Sequence, residues 1–185
     1  MKRLLLVLLA VAALGLSACS SSASGDTFTF RSGTAVGKLY PKADRKPAGN
    51  FTGTLLEGQK FDLTSTRGKI VVINFWAAWC TPCQTETPQF DLLYRQIKSR
   101  GVDFVGIDTK DVKGNAEAFV RNNHISFPIV FDEPGETALR MGNLPAAALP
   151  FTVLLDKQGR VAAVYVQRLA DQDLENAINL LLAGH

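Results

Sequence analysis

Apolar and polar residues follow two different periods along this chain, and each change of period marks an element. Val71-Val72-Ile73-Asn74-Phe75-Trp76 is almost unbroken apolar sequence, as expected of a strand covered on both faces. After it the period lengthens: Phe90, Leu93, Tyr94 and Ile97 recur at helical spacing, and Lys98, Arg100 and Gly101 supply stop signals. Pro88 falls inside that helix and should kink it in the second or third turn. Residues 102–108 alternate as a second central strand. Asn115 is expected to cap a helix reaching about Asn122, with Ala116, Phe119 and Val120 inward. A strand over 127–131, a short helix over 136–141 stopped by Gly142, and a strand over 151–155 follow. The turn Asp156-Lys157-Gln158-Gly159 folds the chain back into a strand over 161–166. A last helix over 171–182 carries Leu174, Ala177, Ile178 and Leu181 on one face. Upstream, residues 51–56 and 59–63 flank Glu57-Gly58 as a hairpin. The pattern predicts an α/β domain: a mixed central sheet flanked by helices, with an N-terminal β-hairpin extension.

The first 50 residues behave differently. Lys2 and Arg3 precede an uncharged apolar run of 13 residues, 4–16, too short to span a bilayer comfortably and suited to an export signal. It ends in Leu16-Ser17-Ala18-Cys19, which resembles the bacterial lipobox, where cleavage precedes a cysteine that then carries the lipid. That resemblance divides the chain into a signal peptide, 1–18; a lipidated Cys19 with a Ser-, Gly- and Pro-rich tether, 19–49; and a folded domain, 50–185. Thr27-Phe28-Thr29-Phe30 alternates and offers one edge strand within the tether. Losing Lys2 and Arg3 with the leader lowers the formal charge from +3 to +1, which gives no electrostatic case for nucleic acid.

Three cysteines are present, Cys19, Cys80 and Cys83. The last two stand where the apolar strand runs into the helix. Pro82 sits in the first turn, where its missing N–H costs nothing, and the positive end of the helix dipole favours a thiolate there. Cys80 is therefore the expected nucleophile and Cys83 the resolving thiol. A closed zinc site would need about four ligands, and the chain adds only His124 and His185. A haem-attachment motif would put His where Gln84 stands. A purely structural disulfide would close too short a loop to constrain much of the unfolded chain.

Trp-Cys-x-x-Cys after such a strand resembles the thioredoxin superfamily, and Trp76-Ala77-Ala78-Trp79-Cys80-Thr81-Pro82-Cys83 resembles its TlpA/ResA/CcmG branch of exported proteins. The resemblance covers about residues 50–183 and implies a thioredoxin-like fold. The branch pattern Cys-x-x-Cys-x-x-Glu-x-Pro is met by Cys80, Cys83, Glu86 and Pro88, which implies that Glu86 is a partly buried acid serving the cysteines. Thioredoxin itself keeps an acid six residues before its first Cys, where this chain has Asn74, and an amide cannot move protons. Otherwise Glu86 is a solvated residue complementing the helix dipole. Pro150, in Pro-x-Thr before a strand, matches the cis proline that faces the dithiol and leaves the preceding backbone, Leu149, free for substrate; Pro145 is its rival. Trp79 abuts Cys80 and is expected to shield the thiolate and meet substrate, whereas Trp76 and His124 read as core and surface residues.

The resemblance implies an exported, lipid-anchored, monomeric thiol-disulfide oxidoreductase with no cofactor or bound metal. Its partners would be proteins with disulfides or dithiols, a membrane redox partner for electrons, and the membrane itself through Cys19. A reducing role, as in cytochrome c maturation, is the branch's implication. An oxidant that installs disulfides is the alternative of the same class, and a copper-handling lipoprotein using Cys80 and Cys83 as soft ligands the alternative of another. A peroxidase would carry a different motif.

Overall fold

A computed structural model describes residues 33–142, 144 and 148–185. Its organising element is β3, Ile70–Trp76, buried along its whole length. Because successive side chains point to opposite faces, Ile70, Val72 and Trp76 enter one core while Val71, Ile73 and Phe75 enter the other. β4 (Val102–Thr109) and β5 (Ile129–Asp132) continue parallel to it on one side. β6 (Phe151–Leu155) and β7 (Val161–Tyr165) continue antiparallel on the other. The hairpin of β1 (Thr52–Leu55) and β2 (Lys60–Asp62) adds to β5, giving one seven-stranded mixed sheet in the order β2-β1-β5-β4-β3-β6-β7.

Helices cover both faces. α1 (Thr81–Ile97) and α4 (Asp171–Leu182) lay Phe90, Leu93 and Ile97, and Leu174, Ala177 and Ile178, onto the first face, with Ala116 of α2 (Lys113–Asn122). The second face is closed by Phe51, Phe61 and Leu63 around the hairpin and by Ala138 and Met141 at α3 (Thr137–Arg140). α1 is one continuous helix through Pro88. It runs into a short 3-10 turn and ends at Gly101, whose φ of 81° favours glycine.

Two local expectations need correction. α2 begins at Lys113 after Val112, which makes no side-chain cap bond, so Asn115 lies inside the first turn and caps nothing. β5 begins at Ile129, two residues later than the apolar run suggests, because Pro128 brings no N–H to the ladder. The part of the tether from Thr34 onward is laid against β7: Thr34 N donates to Val164 O and Tyr40 N to Ala162 O, and Pro47 bridges Arg160. It thereby covers an edge that β7 would otherwise expose. Residues 1–32, with Cys19 and the proposed 27–30 strand, lie outside the described residues, as does Pro145.

Candidate functional site

The sheet brings the C-terminal ends of β3 and β4 and the start of β6 to one edge, and α1 begins there. Cys80 is the N-cap of α1, with extended backbone (φ −82°, ψ 103°), so its Sγ meets the unpaired donors of the first turn and accepts from Cys83 N at 3.3 Å. Cys80 and Cys83 are joined as a disulfide, with their Cα atoms 5.2 Å apart. Cys83 is fully buried, while Cys80, also buried, keeps 4% of its area exposed. This asymmetry makes Cys80 the sulfur that an incoming group reaches first.

Glu86, one turn beyond Cys83, is fully buried. The period of β3 turns Asn74 toward α1, and Asn74 Nδ2 donates both to Glu86 Oε2 at 3.0 Å and to Thr152 Oγ1 at 3.2 Å. From the loop before α4, Leu169 N donates to Glu86 Oε1 at 2.6 Å. Burial pushes the Glu86 carboxyl up to about 7, against the lowering effect of the Leu169 and Asn74 donors and of Arg168. An acid balanced at that point can hold or release a proton near neutral pH. The Leu169 contact was not foreseeable, since it joins residues 83 apart in the chain.

The Leu149–Pro150 peptide is cis, and Phe151 pairs with Phe75 at the end of β3, so the proline stands at the dithiol edge of the sheet. Trp79 is 60% exposed, and its Nε1 donates to Lys110 O at 3.0 Å. Trp79, Leu149, Phe75, Phe151, Ala138 and Lys110 line a cavity of about 190 Å³ beside the dithiol loop. Trp76 is buried, and His124 is exposed just after α2 with a positive φ of 53°.

Sequence reasoning missed a group of acids at the end of β4. Asp108, on the same face as Trp76, is fully buried, and neither carboxylate oxygen accepts a hydrogen bond among the described residues. Burial first, then Asp111 and Asp132, push its carboxyl up to about 8. Asp111 accepts from Ala78 N in the dithiol turn and from Val112 N, and Asp132 accepts from Glu136 N and Thr137 N at the start of α3. In the sequence these acids look like ordinary strand-end and helix-entry polar residues. Among the described residues no group of three or more His, Cys, Asp or Glu is arranged to hold a metal ion.

Residues 45–164 match the model of the AhpC/TSA family. A thiol-disulfide oxidoreductase ResA of Geobacillus thermodenitrificans is 32% identical over 173 residues, covering 94% of this chain and 90% of that protein. A ResA of Bacillus thuringiensis is 38% identical over 116 residues, 63% of this chain and 65% of the relative's length, just under two thirds. Among solved structures, a DsbF homologue from Corynebacterium diphtheriae has 34% identity and a TM-score of 0.75, covering 83% of this chain and 99% of its own. A secreted thiol-disulfide isomerase from Corynebacterium glutamicum has 29% identity and a TM-score of 0.76, covering 84% and 98%.

Proposed function

The chain belongs to the AhpC/TSA family, thioredoxin-like in fold, and on that footing we propose that it is an exported thiol-disulfide oxidoreductase acting on protein thiols through Cys80 and Cys83. The observation that carries the proposal is the joined pair at the head of α1, in which Cys80 alone keeps a small exposed area and Cys83 is fully buried beside an acid balanced near neutral pH. In the reducing direction the Cys80 thiolate attacks one sulfur of a substrate disulfide. A mixed disulfide forms and the substrate's other sulfur leaves as a thiolate. Glu86 takes the proton of the Cys83 thiol. The resulting thiolate attacks Cys80 Sγ, releasing the second substrate thiolate and leaving Cys80 and Cys83 oxidised, the state found here. The reverse sequence oxidises a dithiol.

Leu149, before the cis Pro150, and Trp79 are the proposed substrate contacts, since both line the cavity at the dithiol edge. Cys19 carries the lipid, residues 1–18 are removed, and the folded domain acts as a monomer on the outer side of the membrane. The role is reductive, serving for example the thiols of apocytochrome c, with electrons supplied through a membrane partner. Resemblance of the dithiol motif to the TlpA/ResA/CcmG branch supports that direction, and an acid able to take the Cys83 proton near neutral pH serves the resolving step it requires.

Acid-trapping of whole cells, followed by thiol alkylation, tests the direction. A reductant is found with Cys80 and Cys83 mainly reduced. A mainly oxidised pair, with a potential near the strongly oxidising end of about −120 mV, would make the protein a disulfide-forming oxidant.

A further inference from the structure

The dithiol turn is held from outside its own helix, at two consecutive residues by two consecutive residues. Ala78 N donates to the Asp111 carboxylate, and Trp79 Nε1 donates to Lys110 O at 3.0 Å. Both acceptors belong to the short loop between β4 and α2. The backbone of that loop is bent to reach the turn. Lys110 has a positive φ of 54°, sparsely populated by residues other than glycine, and the conformation turns its carbonyl toward the indole. Asp111 is anchored as well, since its other oxygen accepts from Val112 N at 2.7 Å. On the far side of the turn, Gln84 Nε2 donates to Ala78 O at 2.6 Å, so both polar groups of the Ala78 backbone are engaged by side chains.

We propose that Asp111 is a positioning residue for the dithiol: by holding Ala78 N it fixes the turn that delivers Cys80 to the N-cap of α1, where the Cys83 N–H meets its sulfur. The proposal rests on the exchange activity assigned to Cys80. Its chemistry is that of a cap. A thiolate gains from the first-turn donors and the helix dipole only while its sulfur stays at the N-cap. Upstream of Cys80 the turn has a backbone bond of its own, Cys80 N to Ala77 O at 3.1 Å, but no ladder, so the position of Cys80 also depends on the external bonds. Asp108 on β4 and Asp132 on β5 are the neighbouring acids, and Lys110 the adjacent cation, so the electrostatic effect of Asp111 has to be separated from its mechanical one.

Two substitutions separate them. Asp111→Asn removes the charge and keeps an oxygen that can accept from Ala78 N; Asp111→Ala removes both. Each is made in the full chain, the disulfide is reduced, and the rate of alkylation of Cys80 is followed against pH, with the site resolved by mass spectrometry. The proposal predicts that Asp111→Ala raises the apparent pKa of Cys80 and slows its alkylation at pH 7 by about tenfold, while Asp111→Asn stays within about threefold of the parent. A lowered pKa and faster reaction in both variants would make Asp111 only a nearby negative charge, and unchanged profiles in both would make it only a fold-stabilising residue; either result overturns the proposal. Should Asp111→Ala not fold, Trp79→Phe, which removes the companion bond from an exposed side chain, must slow Cys80 in the same direction, and an unchanged profile there overturns the proposal equally. An unreactive Cys80 in the parent chain is a different result: it contradicts the exchange function itself.

Discussion

At the scale of single residues the account depends on two sulfurs and one carboxyl in unlike surroundings. Cys80 caps a helix start and keeps a small exposed area, Cys83 is fully buried one turn in, and Glu86 is buried one turn further. Glu86→Gln keeps the shape and the ability to accept from Leu169 N but cannot exchange a proton. It is expected to leave the fold intact, to remove a titration near pH 7 from the rate profile of exchange, and to slow turnover by about ten- to a hundredfold. Stopped-flow measurement of substrate reduction between pH 5 and 9 checks this, and superimposable profiles would reduce Glu86 to a structural residue. The placement of Cys80, Cys83 and Glu86 could be read from spacing and resemblance because all three lie at the head of one helix. Asp108 and Asp111 could not, because their importance depends on strand register and on a loop crossing to the dithiol turn.

At the scale of elements, the sequence is most informative where a segment is long and its period strong. α4, β6 and the central strand fall within a residue of expectation, since one fully apolar face or run leaves little freedom in placing them. The start of α2 is misleading in the sequence because a cap-type residue, Asn115, sits inside the first turn with no capping role. The packing of residues 34–47 along β7 is hidden by a composition poor in large apolar side chains, since besides backbone bonds it is held by Thr34 Oγ1 accepting from Val164 N and by buried Arg45 paired with Asp156, contacts between residues more than 100 apart. Gly106 marks a tight approach on β4: a Cβ there would run into Ile129 Cδ1 and come within 3.0 Å of Trp76 Nε1 and 3.1 Å of Phe127 Cε2. Gly106→Ala should therefore destabilise the protein by about 1–3 kcal/mol. Urea denaturation checks it, with a lower midpoint and an unchanged slope expected.

At the scale of the whole molecule, two buried acids couple stability to pH. Glu86 rises from 4.5 to about 7 and Asp108 from 3.8 to about 8, so the folded protein retains protons that the unfolded chain releases. The stability tied to these groups is fully present below their unfolded values and is lost as pH rises through about 7 and 8. The loss of stability between pH 5 and pH 8 should shrink in Glu86→Gln combined with Asp108→Asn, as read from denaturant midpoints at the two pH values. An undiminished loss would place its origin elsewhere. Cys19→Ser should release a soluble protein with undiminished exchange activity, as assayed after fractionating cells; lost activity would give Cys19 a role beyond anchoring. The central claim, that exchange begins at Cys80 and is completed by Cys83, is tested most directly by incubating the reduced Cys83→Ser chain with a disulfide-containing protein and mapping the product by mass spectrometry. The account predicts a stable one-to-one mixed disulfide at Cys80 that does not resolve, and no adduct in Cys80→Ser under the same conditions. An adduct through Cys83 in the Cys80→Ser chain, with none at Cys80 in its counterpart, would contradict it.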